Sequence, residues 1–196
     1  MEEFKNLQET KLTSQPIFDG DVLHIYKDTV RLPNGKTSTR EYTVHHGAVC
    51  ILPLLENGDV LLERQFRYAM GEVLTEIPAG KLDYIGEDPR EAALRELREE
   101  TGVEPAGRDG VEFDHVGQFY SSEGMTDELA NIMVLHLHAW HPVERHFDGD
   151  EHVESAWVSW QRLRGTRITA SNSMIAILHE QIRRNRQNTG KSSFES

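Results

Sequence analysis

Residues 80–103, GKLDYIGEDPREAALRELREETGV, decide how the rest of the chain is read. Pro89 suits a first helical turn, where its missing N–H costs nothing. Asp88 is placed to cap that turn, and Gly102 followed by Val103 is placed to end the helix. The spacing therefore predicts a loop followed by a helix over roughly Pro89 to Thr101. At about 100° per residue, Glu96, Glu99 and Glu100 fall within one arc of that helix. Ala93, Leu94, Leu97 and Thr101 form the adjoining stripe that faces a core, so the acids sit at its margin. Arg95 lies four residues after Glu91 and four before Glu99, within reach of either carboxylate.

Like charges beside a core are costly unless a cation compensates them. An all-oxygen donor set suits a hard divalent ion such as Mg²⁺, which prefers carboxylates, waters and substrate phosphates. A solvated helix face laced with salt bridges is the competing account of the same residues.

The segment resembles the Nudix box, whose pattern is Gly, five residues, Glu, seven residues, then Arg-Glu-apolar-any-Glu-Glu-any-Gly-apolar. From Glu87 onward the match is complete, through Arg95-Glu96-Leu97-Arg98-Glu99-Glu100-Thr101-Gly102-Val103. One departure precedes it: six residues, not five, separate Gly80 from Glu87. The extra residue lengthens a loop ahead of the helix and leaves the carboxylate face unrotated.

Upstream of the box, RQFRYAMGEVLTEIPAGKL extends the resemblance to the branch that hydrolyses ADP-ribose and other nucleoside diphosphate sugars. Arg67 can offer a planar fork of donors to a phosphate or ribose, and Tyr68 a flat surface. A surface salt bridge of Arg67 with Glu63 or Glu76 is the plainer alternative. If this piece is a strand, Glu76 points away from the face shared by Thr75 and Ile77, where it is open to a sugar hydroxyl or a water. In the family the carbonyl of the residue before the box glycine often coordinates metal, which here implies Ala79.

Further upstream, AVCILPLL reads as a strand buried on both faces, and Cys50 within it as a core residue, not a nucleophile. His45 and His46 read as strand-end histidines. From Leu12 to Val44 strand-like pieces flank a Pro33-Asn34-Gly35 turn, a hairpin signal. The resemblance implies that this N-terminal sheet makes a homodimer. Residues before about Thr10 carry no readable chemistry.

Downstream of the box, the loop SSEGMTDE resembles the branch's Ser-Pro-Gly-x-x-x-Glu element, with Ser122, Gly124 and Glu128 matching and Glu123 in the proline position. Gly124 would let the backbone approach a phosphate. Glu128 suits a metal or ribose contact, or is simply a solvated loop acid. NIMVLHLHAW reads as a strand with period-two alternation. The acidic loop Asp148-Gly149-Asp150-Glu151 precedes a strand, SAWVSW. In similar enzymes an acid from this loop closes over the pyrophosphate as general base. Glu151 is the first choice, with Asp150 and Glu154 in reserve. The pattern of Met174, Ile175, Leu178 and Ile182 predicts a core-capping helix, and residues from about Gln187 read as a frayed tail.

The formal net charge of −12 argues against nucleic acid or an anionic membrane as the main partner. A single cysteine permits no internal disulfide, no apolar run approaches the about 20 residues of a membrane helix, and the amino terminus has no signal-peptide core. A cytoplasmic location is the expectation.

The resemblance implies an α/β (α+β) fold, a mixed sheet between helices. Residues 1–44 would form a β-rich dimerisation segment, 45–186 the Nudix hydrolase domain and 187–196 a tail. It also implies Mg²⁺-dependent hydrolysis of ADP-ribose or a related nucleoside diphosphate sugar, with Mn²⁺ as a substitute ion. In that reading Ala79, Glu96, Glu99 and Glu100 hold metal, and Glu99, Glu151 and Arg95 serve catalysis. Arg67, Tyr68, Glu76, Gly124 and Glu128 contact substrate. GDP-mannose is an alternative substrate, and a nucleotide sensor that binds without cleaving is an alternative function.

Overall fold

The computed structural model describes residues 7–147 and 152–192. They divide into two units: the chain through His46 with Tyr120–Leu129, and Gly47–Phe119 with the chain from Ala130 onward.

In the first unit, β1 (Thr10–Asp19), β2 (His24–Arg31) and β3 (Thr37–Val44) form an antiparallel sheet in the order β1-β2-β3. The Asn34-Gly35 turn forms as expected, with Gly35 at φ 82° in the left-handed region that its missing Cβ permits. Asp28 is buried in this sheet, its Oδ2 lying 3.1 Å from Lys11 Nζ and accepting from the Tyr42 hydroxyl at 3.0 Å. All ten residues of β1 are exposed, Leu12, Ile17 and Phe18 among them.

The second unit holds a seven-stranded mixed sheet. It is built from β4 (Ala48–Leu55), β5 (Val60–Arg67), β6 (Glu72–Glu76), β7 (Ala79–Lys81), β9 (Val111–Tyr120), β10 (Leu129–Leu137) and β12 (Val153–Val158). The main path runs β12-β5-β4-β10-β9, with β6 beside β5 and β7 beside β4. A separate ribbon pairs β8 (Val103–Pro105) with β11 (Trp140–Pro142).

The central pair, β4 and β10, is parallel, and both strands are buried almost throughout. This corrects the alternation expected of β10. A strand covered on both faces leaves no polar face to water, and the polar Asn131 within it is buried with its amide donating to the Ala48 carbonyl at 3.1 Å. Pro53 tolerates this central place because β4 changes partner along one edge, from β7 at Ala48–Cys50 to β5 at Leu54, and Pro53 lies between.

Successive β4 residues feed two cores. Val49 and Ile51 pack with Ala92, Ala93 and Leu97 of α1 (Pro89–Thr101). Cys50, Leu52 and Leu54 pack with Leu163 of α2 (Trp160–Leu163) and Ala176 of α3 (Ser171–Ser192). The sheet therefore has a helix layer on each face.

Helix α3 differs from expectation in two ways. Its buried positions are Ser173, Ala176 and Glu180; of the four residues expected inward, Ile175 packs against the core, while Met174, Leu178 and Ile182 are 36, 53 and 50 % exposed. Small Ser173 and Ala176 allow close approach to the sheet, with Ser173 Oγ accepting the Ile77 N–H at 3.1 Å. Buried Glu180 is neutralised by Arg183 and Arg184, its oxygens lying 2.6 to 2.8 Å from their guanidinium nitrogens. Spacing alone assigned the larger apolar residues inward, whereas the side chains that fit determine the buried face. The helix also runs to Ser192, past Gln187, where the sequence suggested a tail. Thr189 contributes there by donating its hydroxyl to the Asn185 and Arg186 carbonyls.

Candidate active site

Helix α1 occupies the range its caps predict. Asp88 accepts the Arg90 N–H, Pro89 opens the first turn, and Gly102 closes the helix at φ 69°. Its carbonyls at the far end are covered from outside: Val143 N–H donates to Gly102 at 2.8 Å, His146 N–H to Glu99 at 3.1 Å and Arg145 Nε to Thr101 at 3.2 Å.

Leu97 is wholly buried in the core, which draws its neighbours on the same face inward: Glu96 and Glu100 are only 8 and 5 % exposed. Glu99 is more open, at 31 % of its side chain. A methyl group added at Gly80 would overlap the Glu96 carboxylate, so the box glycine is the space into which that carboxylate fits. Glu100 Oε2 accepts the Ala79 N–H at 3.2 Å, tying the helix to β7.

Arg95 joins loop to helix. It lies 2.7 Å from Glu96 Oε1 and 3.5 Å from Glu99 Oε2, donates to the Lys81 carbonyl at 3.1 Å, and reaches Asp83 at 3.4 Å and Glu87 at 3.5 Å. Burial draws its pKa down, but Glu96, Asp83 and Glu87 outweigh that, and the guanidinium is held above its ordinary value. Glu87 in turn accepts the Asp83 N–H at 2.7 Å, which folds the lengthened loop back on itself. The predicted contact with Glu99 is present. The contact with Glu96 is one between adjacent helix residues, and those with Asp83, Glu87 and Lys81 depend on the loop's return path, which helical spacing does not reveal.

Among the described residues no three His, Cys, Asp or Glu side chains converge as a ready ligand set. The three helix carboxylates repel one another; Arg95 donates to Glu96 and Glu99, and the Ala79 N–H to Glu100. The donor set nevertheless fits a hard divalent ion. It is oxygen-only, shares one helix margin, and includes two carboxylates largely withdrawn from water.

Two family models match the sequence. The NUDIX domain matches residues 44–180, and the nucleoside diphosphate sugar hydrolase N-terminal domain matches residues 9–43. This chain belongs to the Nudix family. An ADP-ribose pyrophosphatase of Bacillus subtilis is 38 % identical over 150 residues, 76 % of this chain and 78 % of that protein. A methanol dehydrogenase activator of Bacillus methanolicus is 34 % identical over 91 % of this chain and 95 % of its own length. A crystal structure described as an ADP compounds hydrolase shares the fold at a TM-score of 0.76 with 18 % identity, covering 94 % of this chain and 98 % of that one.

Outside the Nudix box, Arg67 lies at the end of β5 with its Nε 2.7 Å from Glu76 Oε2. The salt bridge weighed against a substrate role is therefore present, and it engages Nε alone among the guanidinium nitrogens. Tyr68 is 91 % exposed. Gly124 and Glu128 belong to the unit of the N-terminal sheet, where the loop docks on β3: Thr43 N–H donates to the Met125 carbonyl at 2.9 Å and Thr43 pairs with Thr126. Glu154 is an exposed residue of β12 opposite Arg64. Glu151 and Asp150 lie outside the described residues. Among the described residues no helix is long and apolar enough to cross a membrane.

Proposed function

We propose that this Nudix protein hydrolyses the pyrophosphate bridge of ADP-ribose or a closely related nucleoside diphosphate sugar, releasing AMP and ribose 5-phosphate. The observation that carries the reading is Arg95. One guanidinium fastens the box loop, through Lys81, Asp83 and Glu87, to the acids of the helix, through Glu96 and Glu99. The matched N-terminal domain and the relative named for ADP-ribose hydrolysis support the substrate class.

Glu96, Glu99, Glu100 and the Ala79 carbonyl would hold Mg²⁺, or Mn²⁺ in its place. Such an ion neutralises diphosphate charge and makes water a stronger acid. The chain's own residues supply the rest. Gly80 leaves Glu96 room, and Arg95 orients the two carboxylates it touches. Arg67, with only Nε committed to Glu76, presents its remaining nitrogens to phosphate as a rigid fork. Tyr68 offers a ring to a base or sugar, Glu76 a hydroxyl acceptor, and Gly124 and Glu128 further substrate contacts. Hydrolysis forms one bond from water oxygen to phosphorus and breaks one bridging P–O bond, and the water proton passes to an acid of the segment ahead of β12, assigned to Glu151.

The exposed β1, with Leu12, Ile17 and Phe18 on its surface, supports a homodimer through the N-terminal sheet. The test of function is kcat/KM for ADP-ribose, GDP-mannose and a dinucleoside diphosphate with Mg²⁺ present. The reading expects ADP-ribose to lead and AMP to appear. Tight ADP-ribose binding without turnover would replace it with a sensor, and a GDP-mannose preference would change the substrate.

A further inference from the structure

Strand β12 ends the seven-stranded sheet, and along it opens a cavity of about 800 Å³ whose lining contains none of the box acids and neither Arg67 nor Arg95. Among the described residues three arginines line it, Arg64 from β5, Arg145 before β12 and Arg162 from α2, against one carboxylate, Glu154. In a chain with a formal net charge of −12 this is a local reversal of sign.

These arginines are little used by the fold. Among the described residues the guanidinium groups of Arg64 and Arg162 make no ion pair or hydrogen bond. Arg64 lies opposite Glu154 in the strand register, yet the two do not form a pair within salt-bridge distance. Among the described residues Arg145 commits Nε alone, to the Thr101 carbonyl.

A second observation is independent of charge. Trp157, which lines the cavity and stacks at 5.7 Å on Trp140, adds a flat apolar wall. The volume falls in the range of small-molecule sites.

We propose that this cavity is a second binding site that takes a phosphate ester of mononucleotide size, its phosphate held by Arg64 and Arg162. The site needs no divalent ion, because guanidinium groups alone match phosphate geometry. It does not depend on the hydrolase reading.

The test is calorimetric titration of the full chain with AMP in excess EDTA, which removes metal-assisted binding at the box helix. Wild type and Glu99→Gln should bind alike. The double variant Arg64→Ala/Arg162→Ala should lose affinity about tenfold or more, as expected for losing charge-assisted bonds, and Arg64→Lys/Arg162→Lys should recover part of it. Thermal melting establishes that the variants are folded. Equal affinity in wild type and the alanine double variant, or no AMP binding in EDTA, overturns the proposal. So does a double variant whose altered binding accompanies a change in sedimentation from dimer to monomer, which would make the cavity a contact between copies.

Discussion

The Glu96 carboxylate lies where a side chain on Gly80 would have to be. This contact between a loop glycine and a helix acid explains why the box begins with glycine in a chain that places one residue more than the family pattern between Gly80 and Glu87. Whatever the loop does in between, the two ends of the motif meet.

Gly80→Ala tests that contact. Its methyl group must displace the Glu96 side chain, so the divalent-ion concentration for half-maximal activity should rise by about 10–100-fold, the usual effect of disturbing a ligand's support. Ion titration of the rate checks it, and circular dichroism should show the fold retained.

Arg95→Lys should fail where conservative substitution usually succeeds. A lysine ammonium cannot span Lys81, Asp83 and Glu87 on the loop while meeting Glu96 and Glu99 on the helix. The expected result is a fall in kcat of at least about tenfold with KM changed less. Arg95→Ala, which leaves withdrawn carboxylates uncompensated, should also cost about 1–3 kcal/mol of stability by denaturant titration.

Glu180 should matter to stability and not to chemistry. It is fully buried, held by Arg183 and Arg184, and Arg184 in turn donates to the Gly58 carbonyl at 3.1 Å and lies 4.0 Å over the Trp160 ring. Glu180→Ala leaves these cations without their counter-ion, and a loss of about 3–5 kcal/mol is expected. Chemical denaturation measures it, and kcat at a temperature where the variant is folded should match wild type.

His136 makes stability depend on pH. Burial foremost, and then Arg183, draw its pKa below the ordinary histidine value, against the opposing pull of Glu180, Glu112 and Asp114. The folded state thus prefers the neutral ring. Its contribution is complete above the unfolded histidine value, about 6.5, and is lost as pH falls through the lower folded value. The melting temperature should decline from neutral pH into that acid range, and His136→Gln should flatten the decline. His179, which shares Asp114 at 2.9 Å, faces the same cluster and is kept intact in that comparison.

Surface changes on α3 separate its two faces. Leu178→Gln should alter stability by no more than about 0.5 kcal/mol, because Leu178 is 53 % exposed. Ala176→Leu should overpack the core beside Leu52 and cost about 1–3 kcal/mol. The opposite ranking would restore the face that apolar spacing suggested.

Some parts of the molecule were legible because one local rule decided them. Asp88, Pro89 and Gly102 bound α1, Asn34-Gly35 turned the hairpin, and AVCILPLL had enough apolar residues for both faces of a sheet. What escaped depended on tertiary partners. The buried face of α3 follows from an ion cluster around Glu180, whose arginines look like ordinary surface charge in the sequence. The lack of alternation in β10 follows from its central position beside β4. At the active site the helix acids and Arg95 could be placed by spacing, whereas the ties of Arg95 to Asp83, Glu87 and the Lys81 carbonyl required the loop's path. The Ser122–Glu128 loop shows the same limit, because its docking on Thr43 joins residues far apart in sequence.

The most direct measurement is AMP release from ADP-ribose by wild type and by Glu99→Gln, each with saturating Mg²⁺ and again with EDTA. The account predicts Mg²⁺-dependent release by wild type, abolished by EDTA and reduced at least about 100-fold in Glu99→Gln. Undiminished release by Glu99→Gln, or by wild type in EDTA, would contradict it.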